Sequence, residues 1–213
     1  KARKLLLDQE VSTASRFKGG GYRKCRDHFS VLAVMFAVIS EYDGDVRWKE
    51  DAASLREMYA RAGFNCKVAS DATYQEAKLR RQDLNELVRG GRVPEMKAQS
   101  EASWNLVADR PPLMRRIEQA YQQRMSGWLA NSNEFRKNAA ELIHEAELLA
   151  TLALVIQRQG YEYWDDETYQ QHSQQLHGAA LEVVQAVHNQ DYQQARRAAG
   201  EASKACSECH EGY

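Results

Sequence analysis

In the stretch DYQQARRAAGEASKACSECHEGY, residues 191–213, Tyr192, Ala195, Ala199, Ala202, Cys206 and Cys209 follow one another at steps of 3, 4, 3, 4 and 3. That is one face of an α-helix, and the two cysteines continue it. The stretch closes on Cys206-Ser207-Glu208-Cys209-His210. On a helix Cys206, Cys209 and His210 stand at i, i+3 and i+4 and project from one side. Three chemistries use such a spacing: covalent haem attachment, half of a zinc site, and a redox dithiol. Zinc needs two further ligands, and the remaining cysteines, Cys25 and Cys66, have no paired spacing. A thioredoxin-like dithiol belongs in a βαβ context, which this sequence lacks. Haem attachment needs two thiols to add across two vinyl groups and an adjacent imidazole to reach the iron. One covalent haem c is therefore expected, with His210 on the iron. Ala195, Ala198, Ala199, Ala202 and Ala205 leave a shallow face against which a flat macrocycle can lie.

Three more helices precede this one in the second half of the chain. Pro111-Pro112 opens the first, about 111–130, since proline suits a first helical turn. NSNE at 131–134 caps the second, about 134–159. On it Phe135, Ala139, Leu142, Ala146, Leu149, Ala153 and Ile156 form a seam at alternating steps of 4 and 3 that stops at Gly160. Asp165 and Asp166 precede a third helix with Tyr169, His172, Leu176, Ala179, Val183 and Ala186 on one face. The expected fold is all-α: an arm over 1–22, a haem-less helical bundle-like domain over 23–110, and an antiparallel four-helix bundle over 111–213.

The first half reads as a degenerate copy of the second. DAASL at 51–55 aligns with NAAEL at 138–142, ATYQ at 72–75 with ETYQ at 167–170, and SEAS at 100–103 with GEAS at 200–203, in the same order. LVADR at 106–110 then falls opposite CSECH at 206–210, so this copy lacks the motif. The alternative is an unrelated helical extension.

A chain of 213 residues with 43% hydrophobic and 28% charged residues can bury a sizeable core. Its net charge of −1, without a basic run, gives no footprint for nucleic acid. FSVLAVMFAVI at 29–39 is too short to span a bilayer and reads as a core helix, so no transmembrane segment is expected. No export signal is visible in the numbered chain.

Residues 111–213, with CxxCH a few residues from the end and Tyr213 three residues past the histidine, resemble the class II c-type cytochromes, meaning cytochrome c prime and its low-spin relatives. The resemblance implies a haem inside the bundle, its cysteines and proximal histidine on the fourth helix, and a distal side built by the first. It departs from the family in lacking the basic residue that often follows the terminal aromatic and in its additional N-terminal region. Low-spin relatives use a methionine near the start of the first helix, where Met114 stands; cytochrome c prime has a non-ligating apolar residue about a turn on, where Ile117 or Tyr121 falls. Met114 is thus either the sixth ligand or a core side chain.

Met114, Ile117, Tyr121, Arg124 and Trp128 share a seam on the first helix. Arg124 on that seam either meets a haem propionate or snorkels to solvent, with Arg115 and Arg116 as alternatives. His172 either reaches a propionate or is satisfied by a neighbour in the core. His144, His177 and His188 fall off the seams and read as solvated. Cys25 and Cys66 sit at adjoining ends of a helical hairpin and are expected to form a disulfide, worth on the order of 3 to 4 kcal/mol, rather than two free thiols. The second helix is apolar nearly all round over LLATLALVI, 148–156, which suggests a further packing surface and a homodimer through the first and second helices.

The expected protein is an exported, periplasmic mono-haem cytochrome passing single electrons to a redox partner. The alternative is a five-coordinate site binding a diatomic gas such as nitric oxide or carbon monoxide. Nothing argues for an enzyme.

Overall fold

The computed structural model describes residues 2–92 and 102–213, and it is all-α. The chain divides into two compact units, 1–113 and 114–213. The division falls inside a helix, three residues past the expected boundary at 110, because Pro111 and Pro112 occupy a first helical turn and end nothing.

The N-terminal unit contains α1 (Ala2–Glu10), α2 (Ala14–Arg16), a π-helical turn (Phe17–Gly21), α3 (Tyr22–Glu41), α4 (Ala52–Asn65), α5 (Asp71–Arg89) and α6 (Trp104–Val107). The stretch expected to be an arm is helical and folded in. α1 packs against α3 and α5, and Leu7, Val11 and Phe17 are buried. The buried Glu10 carboxylate accepts from Arg16 at 3.1 Å and Lys24 at 3.2 Å, as a buried charge must. Gly21 is held to glycine by this closure, since a Cβ there would stand 2.8 Å from the Glu10 carbonyl oxygen.

FSVLAVMFAVI lies within α3 and supplies core side chains. Tyr59 of α4 is fully buried between Phe29 and Phe36, with ring centroids 6.0 and 5.6 Å away. No helix among the described residues is long and apolar enough to cross a membrane.

Cys25 on α3 and Cys66, which caps α4, where a disulfide is expected, are both buried and stand as free thiols in the structure. Burial, with the charge of Cys66 adding to it, holds the Cys25 thiol far above the ordinary range. Burial and then Glu76 push Cys66 up to about 12.

Asp109 accepts from Arg26 on α3 and, at 2.9 Å, from Lys67 at the end of α4. Burial pushes its carboxyl upward, but these hydrogen bonds win and hold it below the usual range. A depressed carboxyl stabilises the fold above its unfolded value, and that stability is lost as pH falls through the folded one. Asp109→Asn is accordingly expected to cost about 1 kcal/mol at pH 7. In urea titrations the difference should shrink below about pH 4, and a difference independent of pH would contradict the assignment.

Two of the three repeat matches fall on equivalent features. Asp51 and Asn138 each precede a helix beginning Ala-Ala, and Ser70 and Asp166 each cap the helix that carries the TYQ match. Tyr74 and Tyr169 are both buried and donate to backbone carbonyls, Val11 at 3.4 Å and Ile156 at 3.3 Å. The third match begins at 100 and lies partly outside the described residues.

From Met114 onward the C-terminal unit contains α7 (Arg110–Ala120), a π-helical turn (Tyr121–Met125), α8 (Ser126–Trp128), α9 (Ser132–Lys137), α10 (Ala139–Val155), α11 (Glu167–His188) and α12 (Tyr192–Gly212). The expected second helix is broken at Asn138, whose side chain turns back to the Glu134 carbonyl at 2.8 Å. Its seam is buried as expected apart from the half-buried Ala139. α10 packs on α11 and α11 on α12. Gln190, at φ +57°, and the Asp191 N–H to Ala186 carbonyl bond of 2.9 Å close α11 in a Schellman-like turn. Asp191 then caps α12 through the Gln194 N–H at 2.9 Å, which fixes the register of the helix that carries the motif.

Candidate functional site: a cavity bearing Cys206, Cys209 and His210

The five alanines of α12 are buried, so that face is used for close packing, and Ala205 also lines a cavity. This corrects the expectation of an open alanine face. Just beyond it, Cys206, Cys209 and His210 line a cavity of about 370 Å³, within the ordinary size of a ligand site. Cys209 is buried, Cys206 half-buried and His210 exposed at the rim. Met114, Ile117 and Tyr121 from the first helix line the same cavity, and Ile156, His172, Ser173 and Leu176 are among the rest of its wall. Six of the expected site residues are thus brought together.

The last turn of α12 is pinned by its final residue. Tyr213 donates its hydroxyl to Asp166, and its ring lies 4.8 Å from that of Tyr163 and 5.3 Å from that of Tyr169. Asp166 also accepts the Tyr169 N–H at 2.8 Å to cap α11. The Tyr213 hydrogen bond, seconded by that N–H, holds the Asp166 carboxyl below its usual range, and it raises the Tyr213 phenol.

Arg124 does not line the cavity. An α-helix would place it beneath Tyr121, but the π turn inserts one residue and rotates the rest of the helix toward α10. There Arg124 pairs with Glu145, as Arg116 does at 2.5 Å from before the turn. Glu145 is 2% exposed and Arg116 5%. Burial lowers the Arg116 pKa, opposed by Glu145. Sequence reasoning missed Glu145, since an acidic residue beside a seam reads as solvated. Of the three arginines considered, Arg115 is the one in the cavity wall. His177, expected in solvent, is half-buried with Nδ1 3.1 Å from the Ala150 carbonyl oxygen.

Burial, and then Cys209, push the Cys206 thiol up to about 11. It sits at a helix C-terminus, where the dipole disfavours a thiolate, whereas redox dithiols are activated by lowered thiol pKa values. That argues against dithiol chemistry. Among the described residues no three His, Cys, Asp or Glu side chains converge as metal ligands, so the zinc reading gains no partner. A haem asks less, since its porphyrin already supplies four nitrogens.

Compared with known protein families, curated proteins and solved structures, the chain finds no match.

Proposed function

We propose that the C-terminal unit is a mono-haem c-type cytochrome domain, an antiparallel four-helix bundle of an exported, periplasmic protein that transfers single electrons to a partner. The observation that carries this reading is the gathering of Cys206, Cys209, His210 and Met114 on the wall of one cavity. The donor set fits: two thiols one turn apart on α12, an imidazole beside the second, and a thioether on the facing helix. Bound there, a haem would supply the one-electron couple of its iron. The chain contributes the rest. Cys206 and Cys209 tether, His210 offers a ring nitrogen, Ile117, Ile156 and Leu176 exclude water, and the Tyr213–Asp166 bond keeps the tethering turn in place. Burial and neighbouring charge set the potential.

A second reading is favoured by one observation: Ile117 and Tyr121 line the same wall as Met114, so apolar bulk can stand where a sixth ligand would. That arrangement suits reversible binding of nitric oxide or carbon monoxide.

Absorption spectra of the oxidised and reduced protein separate the two. A low-spin spectrum that turns high-spin in Met114→Ala supports electron transfer with a thioether ligand. A five-coordinate wild-type spectrum with prompt carbon monoxide binding supports the gas site. The absence of any haem band after expression with haem-attachment machinery rejects both.

A further inference from the structure

Exposed apolar side chains that stand singly are ordinary on a protein surface, whereas a group of them marks a place of contact. One such group lies beside the motif in the C-terminal unit. Tyr163 and Trp164, neighbours in the loop between α10 and α11, are 37% and 39% exposed, and Tyr213 at the end of α12 is 39% exposed. The Tyr163 and Tyr213 rings lie 4.8 Å apart, so the loop and the helix end form one surface. Its backbone is held in place. Gln170 Nε2 donates to the Trp164 carbonyl at 2.6 Å, the Asp166 N–H to the Tyr163 carbonyl at 3.1 Å, and the Tyr213 N–H to the Cys209 carbonyl at 3.0 Å. A surface ordered before contact loses little freedom on binding. The last of these bonds joins it to the turn that carries Cys209 and His210.

Around these rings the charge has one sign. Four of the six residues 162–167 are acidic, Glu162, Asp165, Asp166 and Glu167, and none is basic. Glu162, Asp165 and Glu167 are exposed, as is Glu211 two residues before Tyr213. The one cation in the loop is Arg158, four residues before Glu162. The loop between α3 and α4 offers a contrast: it too carries acids and the exposed Tyr42 and Val46, but Arg47 and Lys49 stand among them. With the whole chain at −1, the excess at 162–167 is local. An aromatic centre inside an acidic rim suits a partner of complementary, positive charge. The same charge rules against other occupants. A second copy meeting it across a two-fold axis would set these carboxylates against themselves, and nucleic acids and anionic lipid surfaces are repelled.

We propose that Tyr163, Trp164 and Tyr213, with the carboxylates of Glu162, Asp165 and Glu167 around them, form the docking surface for a protein whose own contact surface is basic. That this partner carries electrons rests on the haem reading above; that it is basic rests on the surface itself. The rim charges act on the rate of encounter and its salt dependence, and the aromatic centre holds the complex once formed. Tyr213 stands three residues past His210, about 5 Å along the helix axis, so a protein seated here lies close to the tethering turn. The step this serves moves one electron, the donor oxidised as the acceptor is reduced, with no bond made or broken.

Calorimetric titration of the full-length chain, all components oxidised, tests this with two probes: a lysine-rimmed mitochondrial-type cytochrome c, which is basic, and a plant-type ferredoxin, which is acidic. At about 0.01 M salt, where screening is weak, the basic probe should bind and the ferredoxin should not. Glu162→Gln, Asp165→Asn and Glu167→Gln together should weaken that binding about tenfold and flatten its salt dependence. Trp164→Ala should weaken it about tenfold with the salt dependence kept. Asp43→Asn, Asp45→Asn and Glu50→Gln, which remove as many carboxylates from the other unit, should weaken it far less. Every substituted side chain is exposed, and Asp166 is left in place because it caps α11. Binding of neither probe, binding of ferredoxin instead, or equal weakening by the two triple variants overturns the proposal and, where covalent haem is present, leaves the haem reading standing. A chain without covalent haem that still binds the basic probe through this loop overturns the haem reading and leaves the surface in place.

Discussion

Replacing Cys206 and Cys209 together with alanine is expected to leave the purified chain at the mass of the bare polypeptide. The unaltered chain should keep the added mass of one haem after extraction in acidified organic solvent. The effect is all-or-none because no other pair of cysteines shares this spacing: Cys25 and Cys66 are buried in the other unit. Cys25→Ala should therefore leave the haem in place and alter stability alone. An unaltered chain that loses its haem on extraction would remove the basis for calling it a c-type cytochrome.

Glu145→Ala is expected to destabilise the C-terminal unit by about 3–5 kcal/mol, the usual cost of breaking a buried ion pair from one side. Arg116 would keep its charge at 5% exposure with its main partner gone, and one of its nitrogens, Nη1, already has no partner among the described residues. Arg124, half-buried, can turn toward solvent and carries less of the penalty. Charge rather than packing is the cause, which a compensating change can show. Arg116→Met combined with Glu145→Leu should recover stability to within about 1 kcal/mol of the parent, since well-packed apolar replacements of buried pairs are often neutral. Urea unfolding followed by circular dichroism reads both variants. A double variant as unstable as Glu145→Ala would mean that the site needs its shape more than its charge balance.

The parts of this fold that are legible in the sequence are those written in spacing. Leu142, Ala146, Leu149, Ala153 and Ile156 repeat at 4 and 3 and are buried together with Phe135, seven residues before, and the caps Asp166 and Asp191 stand where the helix starts are expected. The site is legible for the same reason: Met114, Ile117, Tyr121, Cys206, Cys209 and His210 reach one cavity because each holds its place in a helical period. What stays hidden departs from period without leaving a mark. The π turn at Tyr121–Met125 falls inside a seam whose letters run on unbroken to Trp128, so periodicity alone puts Arg124 on the wrong face. Glu145 is polar beside an apolar row, and only three-dimensional contact shows that it balances two arginines. Residues 2–21 look like an arm because they are short, interrupted helices whose burial depends on α3 and α5.

The π turn has a bearing on how this helix can change over generations. One extra residue divides it into two stretches, a run up to Tyr121 that carries Met114 and Ile117 on the cavity wall and Arg116 against Glu145, and a run that carries Arg124. Substitutions at Met114, Ile117 or Tyr121 can retune what the cavity accepts while Arg116, on the same run, and Arg124 keep their pairing with Glu145. Deleting a single residue within 121–125 would merge the two stretches and swing an arginine round to the cavity side. A lineage carrying that deletion would trade a buried charge balance for a new cation on the cavity side.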